Sequence, residues 1–147
     1  MTDIVSLRVR SRMMSAVRGR DTGPERVVRK ALHRAGLRFR LGGAKLPGRP
    51  DIVLSSRRTV IFVHGCFWHQ HSGCAKAGRP KSNIEFWNAK LDANIKRDHR
   101  VQAALRLAGW QTFIVWQCQI DAREISQLAR QIMDHPDPFA QTPGLLQ

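Results

Sequence analysis

Apolar and polar positions divide the chain into alternating helical and extended stretches. After a polar, basic opening, Thr22-Gly23-Pro24-Glu25 reads as a helix start. Thr22 is the N-cap, Pro24 lies in the first turn and Glu25 takes the reciprocal capping-box position. Val28, Ala31, Leu32 and Ala35 then recur at helical spacing, and Gly36 supplies the stop. Residues 37–41 alternate apolar and basic side chains as a half-exposed strand does, and residues 42–48 form a loop rich in turn formers. Two extended runs follow, 51–54 and 59–63, joined by the polar link Ser55-Ser56-Arg57-Arg58. They predict adjacent strands of a hairpin, the second deeply buried. From a cap at Ser82 or Asn83, a long helical pattern runs to about residue 108, with Ile84, Trp87, Leu91, Ile95 and Leu105 on one face. Asp98 falls on that same apolar stripe, where solvation alone does not explain an aspartate. Residues 112–116 predict another buried strand, Cys118 sits just beyond it, and residues 122–133 form a final amphipathic helix. Helix-strand-strand-strand-helix-strand-helix is an α/β or α+β order.

Composition narrows the partners. At 147 residues the chain reads as one domain, large enough to bury its own core. Residues 1–21 are a basic arm, 22–134 the core and 135–147, with three prolines, a loose tail. Lys and Arg outnumber Asp and Glu by 25 to 11, unevenly: residues 1–50 carry 13 basic and 3 acidic side chains, residues 121–147 only 2 and 4. So steep a gradient points to a surface that meets a polyanion. Nucleic acid fits better than a membrane, because no long basic amphipathic helix stands out. The arm, where Arg8, Arg10, Arg12, Arg18 and Arg20 alternate with small or apolar residues and residues 11–17 allow a short helix, is either a frayed terminus or a nucleic-acid-wrapping segment. No signal peptide or membrane-spanning run is present, and three cysteines do not make a disulfide scaffold. An intracellular, cytoplasmic protein is expected.

Candidate chemistry concentrates in residues 63–74, VHGCFWHQHSGC, which hold three of the six histidines and two of the three cysteines. Cys66, His71 and Cys74, with Cys118 arriving 44 residues later, give three thiolates and one imidazole, a closed set suited to a structural, tetrahedral Zn2+. His69 competes with His71 for the imidazole place, and three reduced cysteines without metal are the plain alternative. Cys118 reaches the others if the 112–116 strand neighbours the 59–63 strand. Nucleases that use a metal place an Asp at one strand's start and an acid-x-Lys on its partner. Here Asp51 opens a strand, but Phe62-Val63-His64 stands at the second place. A hard cation would then rest on Asp51 and main-chain oxygen, and proton transfer would fall to histidine.

Read in order, Arg10-Ser11, Arg20-Asp21-Thr22, Leu46-Pro47-Gly48-Arg49-Pro50-Asp51, Phe62-Val63-His64-Gly65-Cys66-Phe67-Trp68-His69, Glu85-Phe86-Trp87, Arg97-Asp98, Gly109-Trp110 and Val115-Trp116-Gln117-Cys118 resemble the very-short-patch repair (Vsr) DNA mismatch endonucleases. The resemblance implies a restriction-endonuclease-like α/β core: a central mixed sheet flanked by helices, with a structural zinc loop. It also implies a bacterial enzyme, at work on the nucleoid, that nicks one strand 5′ of the T in T:G mispairs left by 5-methylcytosine deamination; a monomer is the default expectation, since nothing in the sequence speaks for an interface. By the same resemblance, Asp51 is a Mg2+ ligand and the Val63 carbonyl a main-chain ligand. His69 is the proton-transfer residue oriented by Asp98, and His64 a second histidine near the scissile phosphate. Glu25 reaches the metal through water, although capping its own helix explains it as well. Cys66, His71, Cys74 and Cys118 match the zinc ligands, and Phe67, Trp68 and Trp87 an aromatic wedge; Trp87 also fits the core beside Leu91. Three departures stand out: Met13 in the arm where Asn is frequent, Val63 in place of a threonine, and one extra residue between His71 and Cys74. Two further readings remain: a zinc-stabilised DNA-binding module without catalysis, and a related restriction-associated nuclease of different DNA specificity.

Overall fold

A computed structural model describes residues 22–43 and 45–134. The expected arm (1–21, with its 11–17 helix) and tail (135–147) lie outside the described residues. Helix α1 (Gly23–Arg34) starts as its sequence dictates: the Glu25 N–H donates to Thr22 Oγ1 at 3.4 Å, with Pro24 in the first turn. It ends at Gly36, whose φ of +91° only glycine adopts without strain, and the Leu37 N–H closes on the Leu32 carbonyl. That closure corrects the strand expected over 37–41. Leu37 is buried in finishing the helix, so β1 (Arg40–Leu41) is two residues long and exposed.

β2 (Ile52–Leu54) and β3 (Thr59–His64) form the expected antiparallel hairpin, joined by a 3-10 turn at Ser55–Arg57 and by Arg58 in the left-handed region. β4 (Gln111–Trp116) pairs with β3 in parallel, in register from Thr59 opposite Gln111 to His64 opposite Trp116. The sheet is therefore mixed, in the order β1-β2-β3-β4. The parallel crossover is made by α2 (Ile84–Leu107), one unbroken helix of 24 residues and about 36 Å. Period-two alternation then sorts the strands' side chains. Ile52, Leu54, Ile61 and Val115 face α1 and α3 (Ala122–Asp134), packing on Val28, Leu32, Ile125, Ala129 and Ile132. Val53, Val60 and Phe62 face the other way, onto Leu105 of α2 and Trp110. The result is a mixed sheet with two helices on one face and one on the other.

Two readings of α2 and β4 need correction. Ile84, placed on the buried stripe, is 55% exposed, because the helix begins there in the open and the sheet is met only lower down. Asn83 is the N-cap position, but its side chain makes no cap hydrogen bond and its φ is +51°. β4 buries only Val115 completely, since β4 is an edge of the sheet. Among the described residues no helix is long and apolar enough to cross a membrane.

Candidate active site and metal centre

The expected residues meet where β3 runs out of the sheet. Gly48 takes φ +72° in the turn before Asp51, and a Cβ there would stand 2.2 Å from Val101 Cγ1, so only glycine lets this turn lie against α2. The turn delivers Asp51, whose N–H continues the ladder to the Ile61 carbonyl while its carboxylate Oδ2 accepts the Val63 N–H at 2.7 Å. A strand residue's N–H and C=O leave on the same side, so the Val63 carbonyl also points toward Asp51. Glu25 is buried on α1 and stands within hydrogen-bonding reach of the Asp51 carboxyl. Its main chain serves the helix cap while its carboxyl faces this cleft.

Burial, above all, pushes the Asp51 carboxyl up to about 6, and Glu25 beside it adds to the rise; the Val63 N–H and His69 oppose it. Two facing carboxyls held this way are relieved by a divalent cation, and hard oxygen donors are the set such an ion prefers. A cleft of about 520 Å³ runs past them, lined also by Arg49, His64, His69, Arg97 and Asp98.

The histidines divide by partner. His69 Nδ1 meets Asp98 Oδ2 at 2.7 Å, with both side chains mostly buried. The bond fixes which imidazole nitrogen faces the carboxylate and leaves Nε2 for other work. His64, at 5% exposure, stacks on His69 with ring centroids 3.7 Å apart and planes 6° off parallel. Burial first, and His69 second, push His64 down to about 4, so at neutral pH it is an uncharged ring. His71 turns away from both, stacking on Trp116 at 4.2 Å and placing Nδ1 3.3 Å from Cys118 Sγ.

The donor atoms of Cys66, His71, Cys74 and Cys118 all lie within 4.8 Å of one another. Tetrahedral donors at 2.0–2.3 Å from one ion would stand roughly 3.3–3.8 Å apart, so the set fits a metal after small side-chain adjustment. Parallel pairing of β3 and β4 is what makes this possible: with His64 opposite Trp116, Cys118 arrives beside Cys66. The extra residue between His71 and Cys74 is absorbed by a tight turn, in which Gly73 takes φ +74° and the Cys74 N–H reaches the His71 carbonyl.

Phe67 and Trp68, expected as part of an aromatic wedge, are half-buried. Their rings meet edge to face at 5.0 Å and pack on Trp87, which is only 7% exposed. Phe86, next to Trp87 and half exposed, extends this aromatic surface.

Asn94 escaped the sequence reading. It is buried on the α2 stripe one turn before Asp98, and its amide donates to the Trp68 carbonyl at 3.0 Å. A polar residue on an apolar stripe was the signal that marked Asp98, and Asn94 carries the same one. Arg79 gave no such signal. From its loop it bonds Gln70 Oε1, Asn88 Oδ1 and Asp92 Oδ1 at 3.1, 2.8 and 2.7 Å.

The family model described as DNA mismatch endonuclease Vsr matches residues 2–76. The type II nicking enzyme V.XorIIP of Xanthomonas oryzae pv. oryzae is 48% identical over 135 residues, 91% of this chain and 98% of that protein. The DNA mismatch endonuclease Vsr of Escherichia coli is 43% identical over 124 residues, 84% of this chain and 79% of its own. The type II nicking enzyme V.NmeAIP of Neisseria meningitidis is 40% identical over 139 residues, covering 91% and 99%. A mixed sheet that brings Asp51, the His69–Asp98 pair and a cysteine-histidine cluster to one end thus occurs in a chain that belongs to the Vsr family of DNA mismatch endonucleases.

Proposed function

We propose that this DNA endonuclease is Mg2+-dependent, is stabilised by a structural Zn2+, and nicks one strand of duplex DNA 5′ of the T in a T:G mispair. The observation that carries the reading is the abutment of two devices at the end of β3. An acid-rich cleft with a carboxylate-held histidine lies beside a half-buried aromatic turn, and His69 of the cleft directly follows Phe67 and Trp68 of the turn. Likeness to the Escherichia coli mismatch endonuclease supports the substrate, and the mixed three-layer arrangement supports a restriction-endonuclease-like core.

In this reading Asp51 and the Val63 carbonyl would hold Mg2+, and Glu25 would act on it through water. Bound there, Mg2+ would supply charge stabilisation for the phosphoryl oxygens and the leaving group. His69, with Nδ1 held by Asp98, takes the proton of the attacking water at Nε2. His64 remains neutral, orients His69 by stacking and offers an N–H near the phosphate. Cys66, His71, Cys74 and Cys118 would hold Zn2+, which with its four positions filled would fix the loop and leave none open for hydrolysis. Phe67 and Trp68, backed by Trp87, enter the mismatched step, which is easier to unstack than a paired one. Trp87, buried in the free protein, then acts as the floor of the wedge rather than its tip. The protein works as a monomer in the bacterial cytoplasm, on nucleoid DNA.

The test is nicking of duplexes that differ in a single T:G or C:G pair, with Mg2+ or with EDTA. Mg2+-dependent nicking confined to the T:G duplex is expected. Binding to both without nicking leaves only a DNA-binding module. A second reading, a restriction-associated nuclease of other specificity, is favoured by the names of the Xanthomonas and Neisseria relatives, both type II nicking enzymes. Equal nicking of the two duplexes is its signature.

A further inference from the structure

Helix α2 does more than carry Asp98. Trp87, Leu91, Asn94 and Asp98 follow one another at steps of four, three and four residues, a single face of the helix. Trp87 backs the rings of Phe67 and Trp68, and Asp98 holds His69. Between them, Asn94 donates its amide N–H to the Trp68 carbonyl at 3.0 Å while itself only 9% exposed. Two side chains one turn apart on a rigid helix therefore grip two consecutive residues of the turn. The Trp68 carbonyl belongs to the planar peptide that leads into His69, so fixing this oxygen fixes the plane from which the imidazole is hung. A leucine would fill such a position without the desolvation cost of an amide, about 1–3 kcal/mol when unpaired.

A second tie reaches the far end of the turn. Gln70, in the left-handed region at φ +51°, donates through Nε2 to the Phe67 carbonyl at 2.7 Å. Its Oε1 accepts from Arg79, which is anchored in turn on Asn88 and Asp92 of α2. Residues 67–70 are thus closed into a small ring and strapped to α2 at both ends.

We propose that Asn94 and Arg79 are positioning residues that hang the aromatic turn on α2, so that engagement of the rings by DNA sets the placement of His69. Displacement of Phe67 and Trp68 moves the Trp68–His69 peptide, and the two straps convert this movement into a defined position of the imidazole against Asp98. Hydrolysis then depends on what the rings meet, and selectivity arises in the rate as well as in binding. This inference rests on the nicking reading above.

The experiment compares single-turnover nicking and Kd on T:G and C:G duplexes for the full-length wild type, Asn94→Leu, Asn94→Asp and Arg79→Ala. Thermal melting and zinc content are measured alongside. Asn94→Leu and Asn94→Asp should nick the T:G duplex about 10–100-fold more slowly, the loss that a misplaced catalytic group brings, with Kd within about threefold. Arg79→Ala, at a more exposed strap, should lose about 3–10-fold. The ratio of T:G to C:G rates should narrow in all three, and in a Trp68→Ala background Asn94→Leu should add less than about twofold. Variants that nick like wild type overturn the proposal, as do parallel losses of rate and binding or losses that multiply with Trp68→Ala. Should the Asn94 variants fail to fold, Arg79→Ala decides alone, and wild-type rates there overturn it. A wild type that nicks neither duplex sinks the nicking reading itself; a nicking wild type with unaltered variants sinks only the coupling.

Discussion

Asp51 and Asp98 are both half-buried, and their surroundings ask different things of them. Asp51 keeps one strong hydrogen bond, from the Val63 N–H, but burial and Glu25 lift its pKa from 3.8 to about 6. The folded state therefore holds this proton more tightly than the unfolded chain. Stability from this source is complete below about pH 4 and is lost as pH rises through 6, on the order of 1–2 kcal/mol once partial exposure is allowed for. A divalent cation competes with the proton, so the rise in Tm on adding Mg2+ should grow from pH 5 to pH 7.5, measured by thermal unfolding with and without the ion. Asp51→Asn should remove that Mg2+-dependent rise and nicking, while its metal-free Tm at pH 7.5 equals or exceeds wild type. A metal-free Tm well below wild type would make Asp51 a structural residue. Asp98 instead has a single imidazole to hold. Asp98→Asn keeps an acceptor for Nδ1–H but cannot balance an imidazolium and lets the ring invert its tautomer. Single-turnover nicking should fall about 10²–10⁴-fold with Kd for DNA unchanged. A fall under tenfold would detach Asp98 from proton transfer.

Elements decide which of these residues can meet. The hairpin, the buried β3 and the long α2 were legible because period two and period 3.6 are written directly in residues 52–63 and 87–105. The neighbouring of β3 and β4 followed from asking how Cys118 could reach Cys66, a constraint of chemistry rather than propensity. What periodicity could not convey was depth. Ile84 sits at helical spacing from Trp87 yet in solvent, and Phe67 and Trp68 are half-buried only because α2 presents Trp87 to them. Asn94 was missed because an amide bonded to a main-chain oxygen has no partner visible in sequence. Two substitutions test the elements. Cys118→Ser removes the proposed zinc ligand that β4 delivers, and should abolish stoichiometric zinc and lower Tm, read by metal analysis and melting; full zinc content would refute the ligand set. Gly48→Ala places a methyl group against Val101 and a side chain at φ +72°. Overpacking and backbone strain together should cost about 2–4 kcal/mol in urea unfolding. Adding Val101→Ala should return only the overpacking part, because the strain at φ +72° remains.

For the molecule as a whole, charge sets how DNA is met before any of these contacts form. The formal net charge is +14, and residues 1–50 carry more than half of the basic side chains. Arg49 and Arg97 line the cleft beside Glu25, Asp51 and Asp98, so the cleft offers cations to a phosphate as well as carboxylates to a metal. Each phosphate neutralised releases condensed counterion, giving a slope of log K against log salt of about −0.9 per contact on duplex DNA. Five arginines, at positions 8, 10, 12, 18 and 20, precede the described core. If they serve as a DNA-wrapping arm, replacing all five by glutamine should make the slope shallower by about 3–4 and weaken T:G and C:G duplexes equally, since phosphate contacts carry no sequence information. The nicking rate at saturating protein should stay within about threefold of wild type, because the arm would supply encounter and not the geometry at His69. An unchanged slope would reduce the arm to a solvated terminus. A slope that changes together with the saturating rate would place the arm at the scissile phosphate itself, and the separation of steering from hydrolysis would fail.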